Sequence, residues 1–138
     1  MATITTNIDT ALTRNFKDLD LNFTIHPVRK DVNTHKGEYA IINSVKNLVL
    51  TNHYERPFQP ELGSNIRRLL FENVDSVIAA QIEREIEETI NNFEPRVEIS
   101  KVTAVASPNE NRYNVELEFF VINSPNPITI NFFLERIR

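Results

Sequence analysis

Ile90-Asn91-Asn92-Phe93-Glu94-Pro95-Arg96-Val97, residues 90–97, is where the apolar period of this chain changes from about four to two. Upstream, Ile78, Ile82, Ile86, Ile90 and Phe93 recur at mostly four-residue steps opposite Glu83, Arg84, Glu87 and Glu88, which predicts a long amphipathic helix capped by Asp75 or Ser76. Pro95 ends it, because proline has no N–H to donate and its ring pushes Glu94 toward extended geometry. Downstream, residues 97–106, 113–122 and 128–135 alternate as three strands, with turns at 108–111 and 123–127. Connections that short imply an antiparallel meander. Tyr113, Val115, Leu117, Phe119 and Val121 share one face, as do Ile128, Ile130, Phe132 and Leu134, and both faces are expected to meet the helices.

Upstream of the long helix, Leu19, Leu21, Phe23 and Ile25 alternate as a half-buried strand ended by Pro27, and residues 28–37 read as a polar loop. Ala40, Ile41, Ile42, Val45, Leu48 and Val49 predict an amphipathic helix over 38–50. Residues 51–63, with two prolines and Gly63, form a shaped loop, and Ser64 suits the N-cap of a short helix through Ile66, Leu69, Leu70 and Phe71. The fold class is α+β: a three-stranded antiparallel C-terminal meander packed against helices, with an additional N-terminal strand. Residues 1–138 form a single domain in this reading, with 1–17 as a flexible or partner-docked arm.

Composition removes several classes of function. The absence of cysteine excludes disulfides and thiolate metal sites. No apolar run approaches the roughly 18 residues of a membrane span, and no signal-peptide pattern opens the chain. A net charge of −4 and a pI near 5.4 speak against nucleic acid as a partner. The two glycines, Gly37 and Gly63, are isolated, so neither common phosphate-cradling loop exists and no nucleotide cofactor is expected. His26, His35 and His53 are scattered and lack metal-ligand spacing, so no metal is expected.

Three features remain as candidate sites. Glu94 and Arg96 flank Pro95 in an extended corner, where residues two apart point the same way. They either close the corner as an internal ion pair or engage another chain, a role the planar, weakly hydrated guanidinium suits. The carboxylates Glu55, Glu61, Glu72 and Glu94 lie near shaped loops, and a pair such as Glu61 with Glu94 is the natural guess for a glycosidase, which needs two carboxylates across a sugar cleft. The last strand, with Ile128, Thr129, Ile130, Asn131, Phe132 and Phe133, is an edge whose charges, Glu135, Arg136 and Arg138, cluster only at its end. It is either blunted by twist or open to an added strand from a partner.

In order and spacing, several motifs resemble those of one family. They are Glu55-Arg56-Pro57-Phe58-Gln59-Pro60-Glu61-Leu62-Gly63, Leu69-Leu70-Phe71-Glu72-Asn73 and Ile90-Asn91-Asn92-Phe93-Glu94-Pro95-Arg96-Val97, preceded by Asp18-Leu19-Asp20-Leu21 with Pro27. The family is that of the gene-25-like or W-like baseplate wedge proteins, the sheath initiators of contractile-tailed phages and related injection systems. The resemblance runs from about Asp18 to Ile137. It implies a structural protein rather than an enzyme, in six copies per baseplate within the virion tail, assembled in the host cytoplasm. Its implied partners are other wedge proteins, sheath subunits and tail tube or hub proteins, with no cofactor, nucleic acid or membrane. Glu94, Pro95 and Arg96, with Glu55, Arg56, Pro57 and Phe58, would bind partners, and the strand from Ile128 to Phe133 would template the first sheath ring. Members labelled lysozyme-like make a peptidoglycan hydrolase the alternative.

Overall fold

The computed structural model describes residues 17–20, 23–122 and 124–137. The chain divides into two compact units, Met1–Ala40 and Ile41–Arg138. In the first, β1 (Lys17–Leu19) pairs antiparallel with β2 (Thr34–Lys36), with Asp18 opposite His35. The strand expected through Ile25 is therefore shorter, and its partner arises within the segment read as loop. The reason is local. Phe23 takes a left-handed φ of 52° and its N–H donates to the Asp20 carbonyl, so the chain turns after β1. Thr24 Oγ1 donates to the Asp20 carboxylate across that turn. Leu19, Phe23 and Ile25 are exposed, Ile25 keeps one isolated bridge to Val32, and Leu21 lies outside the described residues. Of the expected arm, only Lys17 is described.

Helix α1 spans Glu38–Leu50, as its apolar spacing predicts. The second unit then contains α2 (Ile66–Leu69), α3 (Ser76–Phe93), β3 (Val97–Ser107), β4 (Arg112–Val121) and β5 (Pro127–Glu135). A single 3-10 turn, Pro108–Glu110, links β3 to β4 and closes with Asn111 in left-handed geometry. The sheet order is β3-β4-β5, all antiparallel. The core combines Val45 and Val49 of α1, Ile82, Ile86 and Ile90 of α3, and every odd residue from Tyr113 to Val121 on β4. Each fully buried isoleucine of that stripe contributes roughly 1.5–3 kcal/mol. Tyr113 is buried, yet its hydroxyl donates to the Asn73 carbonyl and accepts the Asp75 N–H, which ties the α2–α3 link to the sheet.

β3 carries a bulge. Ile99 pairs with Phe119 and Lys101 with Glu118, so Ser100 has no opposite residue. The buried positions switch phase across it, from Val97 on one side to Val102 and Ala104 on the other. Ser64 does not occupy the N-cap of α2, which falls to Asn65. The Ser64 hydroxyl is buried, donates to the Val49 carbonyl 2.7 Å away and accepts the Ile66 N–H at a long 3.5 Å.

Candidate functional site

The Pro95 corner is built from two elements. α3 runs to Phe93, and its capping residue Glu94 donates its N–H to the Ile90 carbonyl before the chain enters β3. The Glu94 side chain turns inward and is only 4% exposed. Arg96 Nε donates to Glu94 Oε1 at 2.5 Å and Arg96 Nη2 to Glu94 Oε2 at 2.6 Å, a two-pronged pair. Ser44, from α1, donates its hydroxyl to Glu94 Oε2 at 2.7 Å and accepts from Arg96 Nη2 at 3.2 Å. Burial by itself would raise the Glu94 carboxyl pKa. The Arg96 and Ser44 hydrogen bonds and the Arg96 charge outweigh it, holding the carboxyl below its ordinary value of 4.5. Arg96 stays 32% exposed and Pro95 exposed, so the corner keeps an outer surface.

This geometry bears on the glycosidase alternative. A general acid needs a carboxyl that remains protonated near neutral pH, with a raised pKa. Glu94 is held the opposite way. Glu61 is exposed on a cleft that it shares with Phe58, Gln59, Pro60, Leu62 and Phe93, where no second carboxylate lies. Glu72 is exposed, and Glu55 spends an oxygen on the Asn52 N–H at 2.9 Å.

The loop before α2 is fastened along its length. Asn52 bridges Ser64, the Tyr54 N–H donates to the Pro60 carbonyl at 2.7 Å, and His53 Nδ1 donates to the Glu61 carbonyl at 2.9 Å. Arg56, Pro57 and Phe58 stand on its outer side, with Phe58 97% exposed. His26 Nδ1 accepts the Val28 and Arg29 N–H groups, a turn-forming role. His35 is placed by its backbone in β2.

The two sheet edges differ, and the sequence did not signal how. Glu83 falls among the charged residues opposite the apolar stripe, yet it and Glu85 are both half-buried and bonded to backbone. Glu85 accepts the Asn65 N–H, and Glu83 Oε1 accepts the Ala104 N–H at 2.7 Å, capping a β3 amide that points away from β4. Helix α3 thus guards the β3 edge at Ala104. We expect Glu83→Ala to cost about 1–2 kcal/mol, the penalty of a stranded amide, read as a lower urea midpoint with an unchanged slope.

β5 has no such guard among the described residues. Arg136 donates its N–H to the Asn111 carbonyl, and the β4–β5 register runs unbroken from there. By the antiparallel alternation, even residues of β5 bond to β4, while Thr129, Asn131, Phe133 and Glu135 aim N–H and C=O outward. Pro127, which has no N–H, falls at the start of that outward set, where an edge tolerates it. Ile130 is buried, Ile128 and Phe132 are half-buried, and Thr129, Asn131 and Phe133 are exposed.

The chain that folds into this corner and proline loop matches one known family, described as Baseplate wedge protein gp25, over residues 35–126, a range that ends just before β5. This chain belongs to the gp25 baseplate wedge family. Its sequence is 35% identical over 99 residues to the baseplate wedge protein gp25 of Enterobacteria phage T4, covering 72% of this chain and 75% of that one. A solved structure titled a putative tail lysozyme from Geobacter sulfurreducens is 26% identical with a TM-score of 0.66, covering 73% of this chain and 92% of that one. A chain in the anti-feeding prophage baseplate shares this fold with a TM-score of 0.70, at 23% identity over 81% of this chain and 90% of that one.

Proposed function

We propose that this gp25-family chain is a structural component of a contractile baseplate, that it joins the wedge core, and that its β5 edge templates the first sheath ring by accepting a strand. The observation that carries the reading is the unequal treatment of the two edges. The β3 edge is capped by Glu83 at Ala104, whereas β5 presents a row of outward N–H and C=O groups, bounded by Pro127, that no described residue caps. Strand addition to such an edge draws affinity from main-chain bonds and specificity from alternate side chains. In this reading six copies surround the tail axis, with sheath subunits on the β5 side. Pro95, the outer rim of Arg96 and the Arg56-Pro57-Phe58 tip contact neighbouring wedge or hub chains. Glu94 and Glu55 act by holding Arg96 and the loop in shape. A large rigid aromatic beside an arginine is the composition of an interface anchor. The inward, ionised Glu94 favours this role over hydrolysis.

The decisive experiment is proline placed by register. Asn131→Pro removes one outward N–H and no β4–β5 bond, so the sheet folds and baseplates assemble, but sheath does not polymerise on them. Ile130→Pro removes a ladder bond and serves as the unfolding control. Sheath of normal length on Asn131→Pro baseplates, seen by negative-stain microscopy, would overturn the reading.

A further inference from the structure

The β5 edge is complementary to itself. Two copies of an open strand can pair antiparallel about a two-fold axis, provided that outward-facing residues meet each other. For β5 those residues are odd-numbered, so the axis can pass through Asn131, with Asn131 opposite its own copy and Thr129 opposite Phe133 of the second copy. In that register every half-buried or buried side chain of the inner face also meets an apolar one: Ile130 faces Phe132, and Ile128 faces Leu134. Moving the axis by one residue breaks this match. One direction sets Ile128 against Arg136, the other Leu134 against Asn126. No like charges oppose one another when the axis lies at Asn131.

One further observation and a count of bonds favour pairing with a second copy. Phe133 remains 61% exposed although the Arg112 guanidinium lies 4.6 Å from its ring centroid, so the ring is held in place with most of its surface open. Aromatic against β-branched is among the better cross-strand pairs. Three hydrogen-bonded positions, each exchanging two bonds, give about six intermolecular main-chain bonds. We infer that, before assembly, this protein associates with a second copy through antiparallel β5–β5 pairing centred on Asn131, which joins two three-stranded sheets into one. The pairing shields the edge until an incoming strand displaces it.

The chain has no cysteine, so an engineered one reports without background. Residues opposite each other in a hydrogen-bonded pair have Cα atoms about 5.5 Å apart, within the roughly 4.4–6.8 Å that a disulfide spans. Purified Asn131→Cys should cross-link to a dimer under mild oxidation, whereas Thr129→Cys, four residues out of register with its own copy, should not. By sedimentation at about 100 µM, a concentration well above a micromolar Kd, the unmodified protein should be dimeric. Asn131→Lys and Asn131→Asp should each be monomeric, because like charges then meet at the axis. An equimolar mixture of the two variants should restore the dimer, which also shows that both are folded. A monomeric unmodified protein, a dimer unaffected by Asn131→Lys, or equal cross-linking at Thr129 and Asn131 would each overturn the inference. The measurement uses isolated protein, so its outcome is independent of the sheath-growth assay.

Discussion

Arg96→Ala should lower the midpoint of thermal unfolding by about 10 °C, a loss of about 3 kcal/mol in a chain of this size. The substitution leaves the buried Glu94 carboxylate with the Ser44 hydroxyl in place of a two-pronged guanidinium. An exposed salt bridge would be worth 1 kcal/mol or less. The corner differs because one partner is almost wholly removed from water, and stranding it is what costs. The figure sits at the low end for buried pairs because Arg96 is partly solvated. Removing both charges, as Glu94→Gln with Arg96→Ala, should cost less than the two single losses added together. The pH dependence has a definite sign. The Glu94 carboxyl has a folded pKa below its ordinary value of 4.5, so its share of stability is complete above that value. That share is lost as pH falls through the folded pKa. Glu94→Gln should flatten that part of the stability curve below pH 4.5. A drop of only a degree or two for Arg96→Ala would reduce the corner to an ordinary surface bridge.

Gly63→Ala should be comparably severe, costing about 3 kcal/mol or more through combined backbone strain and overlap. Gly63 has φ 133°, a conformation that L side chains rarely adopt, and an added Cβ would lie 2.6 Å from the Thr51 carbonyl oxygen and 2.8 Å from the Asn52 carbonyl carbon. Those atoms are backbone and belong to the strap that closes the loop, where the Ser64 N–H donates to the Thr51 carbonyl at 2.8 Å. The strap must open for the methyl group to fit. Limited proteolysis should then cut within residues 55–62 faster than in the unmodified protein, along with a lower denaturant midpoint. Gly37→Ala is the contrast: φ is 64°, but nothing lies within 4 Å of the added carbon. Its cost should stay at about 1–2 kcal/mol, that of left-handed backbone alone.

What the sequence disclosed, it disclosed through periodicity. The Ile82-Ile86-Ile90 stripe and the odd-numbered alternation of β4 each bury one face continuously, and such patterns determine element type with little help from the rest of the chain. The corner motif was legible as a helix stop with two charges. Its third member was not: Ser44 lies fifty positions from Glu94 and carries no local signal. Glu83 was hidden for a related reason. Its place among charged neighbours on α3 matches a solvated face, and only the tertiary position of β3 turns its carboxylate into a cap for Ala104. In the first unit, alternation at Leu19 and Ile25 misled about length, because the turn at Phe23 depends on a left-handed backbone that residue pattern does not encode. That one edge is covered and the other open follows from where α3 lies, not from the strands.

Ser100 has a consequence for how chains of this family can differ in length. With it present, Val97 and Val102 both point to the core although five positions separate them. Without it, Val97, Ile99, Val102 and Ala104 would fall on one face of an unbroken strand, with Glu98, Lys101 and Thr103 on the other. Loss of this single residue leaves hydrophobic phase intact on both sides, a freedom that ordinary strand positions lack. Evolution can therefore change residue number at this point, just beyond the fixed corner, without moving the side chains that hold the helix to the sheet.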